Sequence, residues 1–137
     1  MRNKAPLALM EQMVMLLVFA LAAALCLKGF LWSEQTGREL AARDQALIHV
    51  QNVAEQIKHC RGDLERAAQG KGTLESGLWQ IGYDEAWQQT TRDPVYLIRG
   101  RVNRTDLPLL GSANVWAMEV GGDRLCTLKV CWQEVEP

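Results

Sequence analysis

A long run of apolar residues lies near the start of the chain. Every residue from Met13 to Leu27 is apolar, and the run continues to Trp32 with Lys28 as its one charge. A helix needs about 20 such residues to cross the roughly 30 Å hydrocarbon core of a bilayer. The sequence therefore predicts a transmembrane helix over residues 13–32, surrounded by membrane lipid.

Two other interpretations of the run fit the sequence less well. A cleaved signal peptide has a shorter apolar region, of about 7 to 15 residues, with a polar exit, whereas this run continues through Phe30, Leu31 and Trp32. A helix that is apolar on every face needs a large protein to cover it, and 137 residues provide one small domain at most. We therefore expect a single-pass membrane protein.

The flanking charges predict the orientation of the span. Arg2 and Lys4 precede it, whereas Arg38 and Arg43 beyond it are interleaved with acidic residues. Positively charged flanks are retained on the cytoplasmic side of a membrane. Residues 1–12 are accordingly expected in the cytoplasm of a cell-membrane protein whose C-terminal domain is extracytoplasmic.

Charge and motif content argue against several function classes. The net charge of -1 provides no basic footprint for nucleic acid. We find no phosphate-binding glycine loop, paired-acid motif or nucleophile elbow, and the cysteine spacing does not match a zinc site. The sequence thus predicts a protein that is not an enzyme and has no cofactor, metal ion or small-molecule substrate.

A striped, helix-forming segment follows the span. Residues 33–69 contain no proline and carry apolar side chains three or four positions apart, which is typical of an amphipathic helix. We expect the helix to continue to about residue 68. The stripe consists of Leu40, Leu47, Val50, Ala54, Ile57, Leu64 and Ala68.

The remaining residues, 70–137, have the composition of a small antiparallel sheet. Glycines interrupt the helical pattern, and segments rich in aromatic and β-branched residues follow. We predict strands at 78–83, 96–104, 113–120 and 125–134, with Gly121-Gly122-Asp123 in a hairpin. The fold class is therefore α+β, with about four strands.

The last strand has one apolar face, because Cys126, Leu128, Val130 and Trp132 alternate with polar or smaller residues. A sheet with one apolar face needs a cover, and the striped helix can provide it. The residues expected at this helix–sheet interface are Leu47, Val50, Ile57, Leu64 and Trp132. Cys60 and Cys126 should both face it, either as buried free thiols or as a disulfide. Spacing alone also allows the stripe to form a coiled coil with another chain.

A long helix with an apolar first part, followed by a small antiparallel sheet, resembles the type IV pilins and the pseudopilins of type II secretion. The segment Leu7-Ala8-Leu9-Met10-Glu11 is similar to the start of these proteins, an apolar run with glutamate at its fifth position. The family's processing site would fall between Pro6 and Leu7. This sequence departs from the family there, because proline stands in place of the glycine that precedes the cut.

The resemblance implies a minor or accessory subunit that assembles with other pilin-like subunits and assembly machinery of a secretion, competence or pilus system. It also implies an assembly role for Glu11, through pairing with the N-terminal amine of a neighbouring subunit. From the residues alone, Glu11 is equally an interfacial carboxylate or a partner of Arg2 or Lys4. The alternatives are a bitopic envelope or cell-division scaffold acting through a coiled coil, and a secreted binding domain released by signal cleavage.

Overall fold

The computed structural model describes residues 4–135 and contains two helices and five strands. Its contacts divide the chain into two units, residues 1–40 and 41–137. The elements are α1 Ala5–His59, α2 Leu64–Ala68, β1 Thr73–Glu75, β2 Leu78–Tyr83, β3 Tyr96–Asn103, β4 Leu110–Glu119 and β5 Arg124–Gln133. In the second unit the end of α1 packs on an antiparallel sheet, which confirms the α+β class.

The sheet has the simplest antiparallel order, β1-β2-β3-β4-β5. The number of strands differs from the four predicted, because the three-residue strand β1 pairs with β2 across a two-residue turn. Ser76 and Gly77 form this turn with φ values of 52° and 75°, as a primed hairpin turn requires. All three β1 residues are exposed, so no alternating pattern marks the strand in the sequence.

The four predicted strands are all present. β2 has the predicted bounds, β3 ends one residue before its predicted end, and β5 both begins and ends one residue earlier than predicted. β4 begins at Leu110, three residues before the predicted start at Ala113. The hairpin between β4 and β5 is confirmed, and Gly121 adopts a φ of 75° within it.

The prediction of one unbroken helix to residue 68 is wrong, because α1 ends at His59. The Gly62 N–H donates to the Ile57 carbonyl and the Arg61 N–H to the Lys58 carbonyl, while Arg61 has a φ of 52°. This pair of bonds is a Schellman motif, which satisfies the last carbonyls of a helix. Asp63 then caps α2, because its side chain accepts the Arg66 N–H at 3.1 Å.

The core of the second unit lies between α1 and the inner face of the sheet. Ala46, Val50, Val53 and Ile57 occupy one side of the helix and are fully or almost fully buried. Gly100 permits the close approach, since a Cβ atom there would lie 2.9 Å from Ile57 Cδ1. Small backbone positions of this kind let a helix and a strand pack closely.

Four of the five predicted interface residues are buried. Val50, Ile57, Leu64 and Trp132 belong to the core cluster. The prediction fails for Leu47, which is 40% exposed. Each residue advances a helix by about 100°, so Ala46 takes the inward position and turns Leu47 to the edge of the stripe.

Trp132 connects the last strand to the end of α1. Its indole lies over Gly111, its partner in β4, and a Cβ atom on Gly62 would come within 2.6 Å of the ring. The two glycines therefore leave the space that the indole fills. Trp132 Nε1 is buried and has no hydrogen-bond partner among the described residues.

The disulfide considered between Cys60 and Cys126 is not formed, and both thiols are free. Gly62 packs against Trp132, so Cys60, two residues before Gly62, lies near the Trp132 end of β5. Cys126 lies six residues earlier on that strand, which corresponds to about 20 Å. Cysteine Cα atoms must approach within about 7 Å to bridge, so the two positions are too far apart.

Candidate membrane and assembly segment

The first part of α1 presents an almost completely apolar surface. Its side chains are exposed between Leu7 and Trp32; Phe19, for example, is 74% exposed and Trp32 72%. None of the most apolar 18-residue window is buried against other described residues. Within residues 4–135, one helix, near the N-terminus, is thus long and apolar enough to cross a membrane.

Polar interactions begin where the apolar surface ends. The Thr36 hydroxyl donates to the Trp32 carbonyl at 2.9 Å, and Arg38 pairs with Glu34 at 2.8 Å one turn apart. Tryptophan is enriched at the boundary between lipid and water. Within one turn after Trp32, the surface of the helix therefore changes from apolar, which suits lipid, to polar, which suits water.

The residues of the processing-like motif lie in the first turns of α1. Pro6 is the second residue of the helix, a position where proline is tolerated because the first N–H groups have no helical partner. Leu7 and Glu11 follow on the exposed surface. Among residues 4–135, no ion pair involves Glu11, and its considered partner Arg2 lies outside the described residues.

The second unit contains a cluster of four rings, which we call the aromatic clasp. Its members are His49 of α1, Tyr83 of β2, Trp87 of the connection between β2 and β3, and Tyr96 of β3. Trp87 is stacked between the other rings, with centroids 5.3 Å from His49 and 4.2 Å from Tyr96. Tyr83 lies 4.5 Å from His49 in a tilted arrangement. The clasp therefore fixes the connection between β2 and β3 to the helix.

Asp84 builds the turn that holds Trp87 in the clasp. Its side chain accepts the N–H groups of Ala86 at 3.0 Å and Gln88 at 2.9 Å. Its carbonyl accepts the Trp87 N–H, and Trp87 adopts a φ of 58°. An aspartate side chain that bonds nearby N–H groups in this way is a common means of stabilising a turn.

Burial in the clasp shifts the titration of its members. Desolvation lowers the pKa of His49 below 6.5 and raises the pKa of Tyr83 above 10.0. The pKa of Tyr96 is raised by desolvation and then by the negative charges of Glu119 and Glu85. All three rings are therefore favoured in their neutral forms within the folded unit.

We expect the second unit to lose stability between pH 7.5 and pH 5 through His49. Protonation is harder in the folded state than in the unfolded chain, so stability falls as the pH drops below about 6.5. Urea unfolding across this range would measure the loss, with His49→Gln abolishing part of the pH dependence and His59→Gln, at the exposed second histidine, leaving it intact. Greater stability at pH 5 would show instead that attraction between the cation and the Trp87 ring prevails.

The clasp was not predicted from the sequence. Trp87 lies in a connection without periodicity, and nothing in the sequence pairs it with a histidine 38 positions earlier.

In the part of the chain that the structure describes, no group of three or more histidine, cysteine, aspartate or glutamate residues is arranged to hold a metal ion.

Comparison with known proteins gives no relative for this chain. No protein-family profile, curated protein or solved structure matches it.

Proposed function

We propose that this protein is a non-enzymatic, pilin-like membrane subunit that assembles by helix packing into a type II secretion, competence or type IV pilus-like machine. The apolar part of α1 anchors it in the cell membrane, with the N-terminus in the cytoplasm and the second unit outside. Its partners are membrane lipid, related subunits and the machinery that assembles them. The observation that carries the proposal is one helix whose first part is apolar all round and whose last part packs on a sheet.

The apolar stripe on α1 packs against the chain's own sheet, which supports this function over the scaffold alternative. A coiled coil needs the apolar positions of a helix to face a second helix. Val50, Val53 and Ile57 face the chain's own sheet instead and are at most 4% exposed. The exposed apolar side chains near them, Leu40, Leu47 and Ile48, form a narrower strip that can contact a neighbouring subunit.

The carboxylate of Glu11 supports an assembly role within the membrane. It lies two residues before the predicted span and has no ion-pair partner within the described residues. An unpaired carboxylate at the edge of lipid is costly, and pairing with a cation lowers that cost. The N-terminal amine of a neighbouring subunit is such a cation, so lateral assembly satisfies the charge.

Replacing Glu11 with glutamine is expected to abolish assembly without releasing the protein from the membrane. Glutamine keeps the size of the side chain but removes its charge, and breaking one partner of a desolvated ion pair costs about 3–5 kcal/mol. Crosslinking between copies in isolated membranes, followed by gel analysis, would measure the assembled fraction. Carbonate extraction of the same membranes would measure insertion.

Glu34→Gln is the matched control, because it removes the same charge beyond the span, where Glu34 is exposed and paired within its own helix. It should leave assembly unchanged. Equal crosslinking by wild type and Glu11→Gln would contradict the assembly role of Glu11. Single-cysteine variants along residues 40–57 address the scaffold alternative, since disulfides repeating with a heptad period would favour a coiled coil over the pilin-like subunit.

A further inference from the structure

The face of the sheet opposite α1 carries four cations, and we call it the basic face. Register places Arg99 beside Gln80 and Trp116, and Arg101 in one row with Asn114 and Lys129. Arg124 begins β5 on the same side, paired with Met118. Arg101, Arg124 and Lys129 are exposed and Arg99 is half-buried.

The basic face contrasts with the charge of the unit that bears it. Residues 41–137 contain 11 lysines and arginines against 13 aspartates and glutamates, a net charge of -2. Within residues 4–135, no salt bridge involves any of the four cations. Among the described strand residues, one carboxylate shares this face: Glu75 on the edge strand β1 lies in the same row as Arg101, two strands away, and forms no salt bridge with it. Positive charge is therefore concentrated on one surface of an acidic unit and is not neutralised there.

Two of the guanidinium groups are held in place by neighbours that leave donors available. Arg99 Nε donates to Gln80 Oε1 at 2.8 Å, which leaves the terminal nitrogens of Arg99 uncommitted. The Arg124 guanidinium lies 4.8 Å from the centroid of the Trp116 ring. A pre-positioned arginine fork loses less side-chain freedom when it binds a planar or tetrahedral oxyanion.

We propose that the basic face binds a linear phosphodiester polymer without bases, of the poly(polyol phosphate) kind. Arg99 and Arg101 on β3 are about 6.6 Å apart, and β5, which carries Arg124 and Lys129, is two strands and about 9.6 Å from β3. An array with these spacings can contact several phosphates of one flexible chain at once. Once one phosphate is bound, the other phosphates of the same polymer are held at a high effective concentration near the face. Several weak contacts along one polymer therefore give a higher overall affinity than any single contact.

The surroundings of Trp116 favour a polymer without bases over a single-stranded nucleic acid. Proteins that bind single strands combine positive charge with free aromatic rings on which bases stack. Among the described strand residues, Trp116 is the one aromatic side chain of the basic face, and Arg124 lies over its ring. The other strand aromatics, Trp79, Tyr83, Tyr96 and Trp132, belong to the opposite face with α1. The face thus offers phosphate contacts without a free stacking platform.

Binding of poly(glycerol phosphate) to the full chain in detergent micelles tests the proposal. The affinity is expected to fall steeply with added salt, and Arg99→Gln/Arg101→Gln/Lys129→Gln should weaken it by at least about tenfold. The matched control is Arg43→Gln/Arg66→Gln/Lys58→Gln, which removes two arginines and one lysine from exposed helical positions outside the basic face. The control should bind as tightly as the wild type.

Arg101→Glu provides a second variant at an exposed site, where a substitution changes stability little, so that a loss of binding reports on the basic face. The proposal would be overturned by equal losses in the two triple variants, by unchanged binding in Arg101→Glu, or by tighter binding of a single-stranded oligonucleotide than of poly(glycerol phosphate). Membrane insertion and subunit assembly, measured separately on the same variants, should stay at wild-type levels. A failure to bind the polymer would therefore not contradict the proposed subunit role.

Discussion

Replacing Trp132 with alanine is expected to destabilise the second unit by about 3–5 kcal/mol, the usual cost of removing a large buried aromatic side chain. The indole fills the space over Gly111 and beside Gly62, so its loss leaves a cavity between β4, β5 and the end of α1. Neither glycine has a side chain that can move into this space. Urea unfolding of the detergent-solubilised chain, followed by far-ultraviolet circular dichroism, would measure the change.

Gln133→Ala is the control, because this neighbour on β5 is exposed and its replacement should change the unfolding free energy by less than about 0.5 kcal/mol. Trp132→Phe should cost far less than alanine, since it retains a ring and removes a buried N–H that has no hydrogen-bond partner among the described residues. A loss below about 1 kcal/mol in Trp132→Ala would contradict close packing of the indole against Gly111 and Gly62.

A double-mutant cycle with Gly111→Ala tests the same contact from the opposite strand. A methyl group on Gly111 collides with the Trp132 indole in the wild type but finds space once the indole is gone. The two substitutions together should therefore cost less than the sum of their separate effects, as contacting residues do. Additive costs would show that the two positions do not touch.

The strands and the helical stripe could be predicted because burial imposes a period on the sequence. Cys126, Leu128, Val130 and Trp132 alternate on β5 because each second residue faces α1. Val50 and Ile57 are seven positions apart, which is two helical turns, and both are fully buried. In such elements the spacing of apolar residues along the chain is enough to predict which side chains face the core.

The features that were missed depend on local backbone conformation or on contacts between distant residues. The end of α1 is determined by Arg61 in a left-handed conformation, which arginine seldom adopts. Leu47 is the larger apolar residue, yet Ala46 is the one buried, because the helical phase that turns Val50 and Ile57 inward also turns position 46 inward. The aromatic clasp and the basic face arise from register between elements, which no local pattern specifies.

Placing two arginines in the middle of the apolar segment, by Leu21→Arg and Leu25→Arg, is expected to prevent stable membrane insertion. Each arginine at the centre of a span costs about 2.5–3.5 kcal/mol, and each lost leucine removes a further favourable contribution. The two positions are one turn apart on a helix with no covering element among the described residues, so no interior can receive the charges. Cell fractionation and carbonate extraction would show the variant leaving the integral membrane fraction.

Leu40→Arg together with Leu47→Arg is the matched control, because it introduces the same two charges at exposed positions of α1 beyond the predicted span. This control should remain membrane-bound. Intact-mass measurement of the wild type from the membrane fraction separates anchoring from signal cleavage, since a cleaved chain would lack residues 13–32. A lighter, soluble wild type, or carbonate resistance retained by the Leu21→Arg/Leu25→Arg variant, would contradict the membrane anchor on which lateral assembly depends.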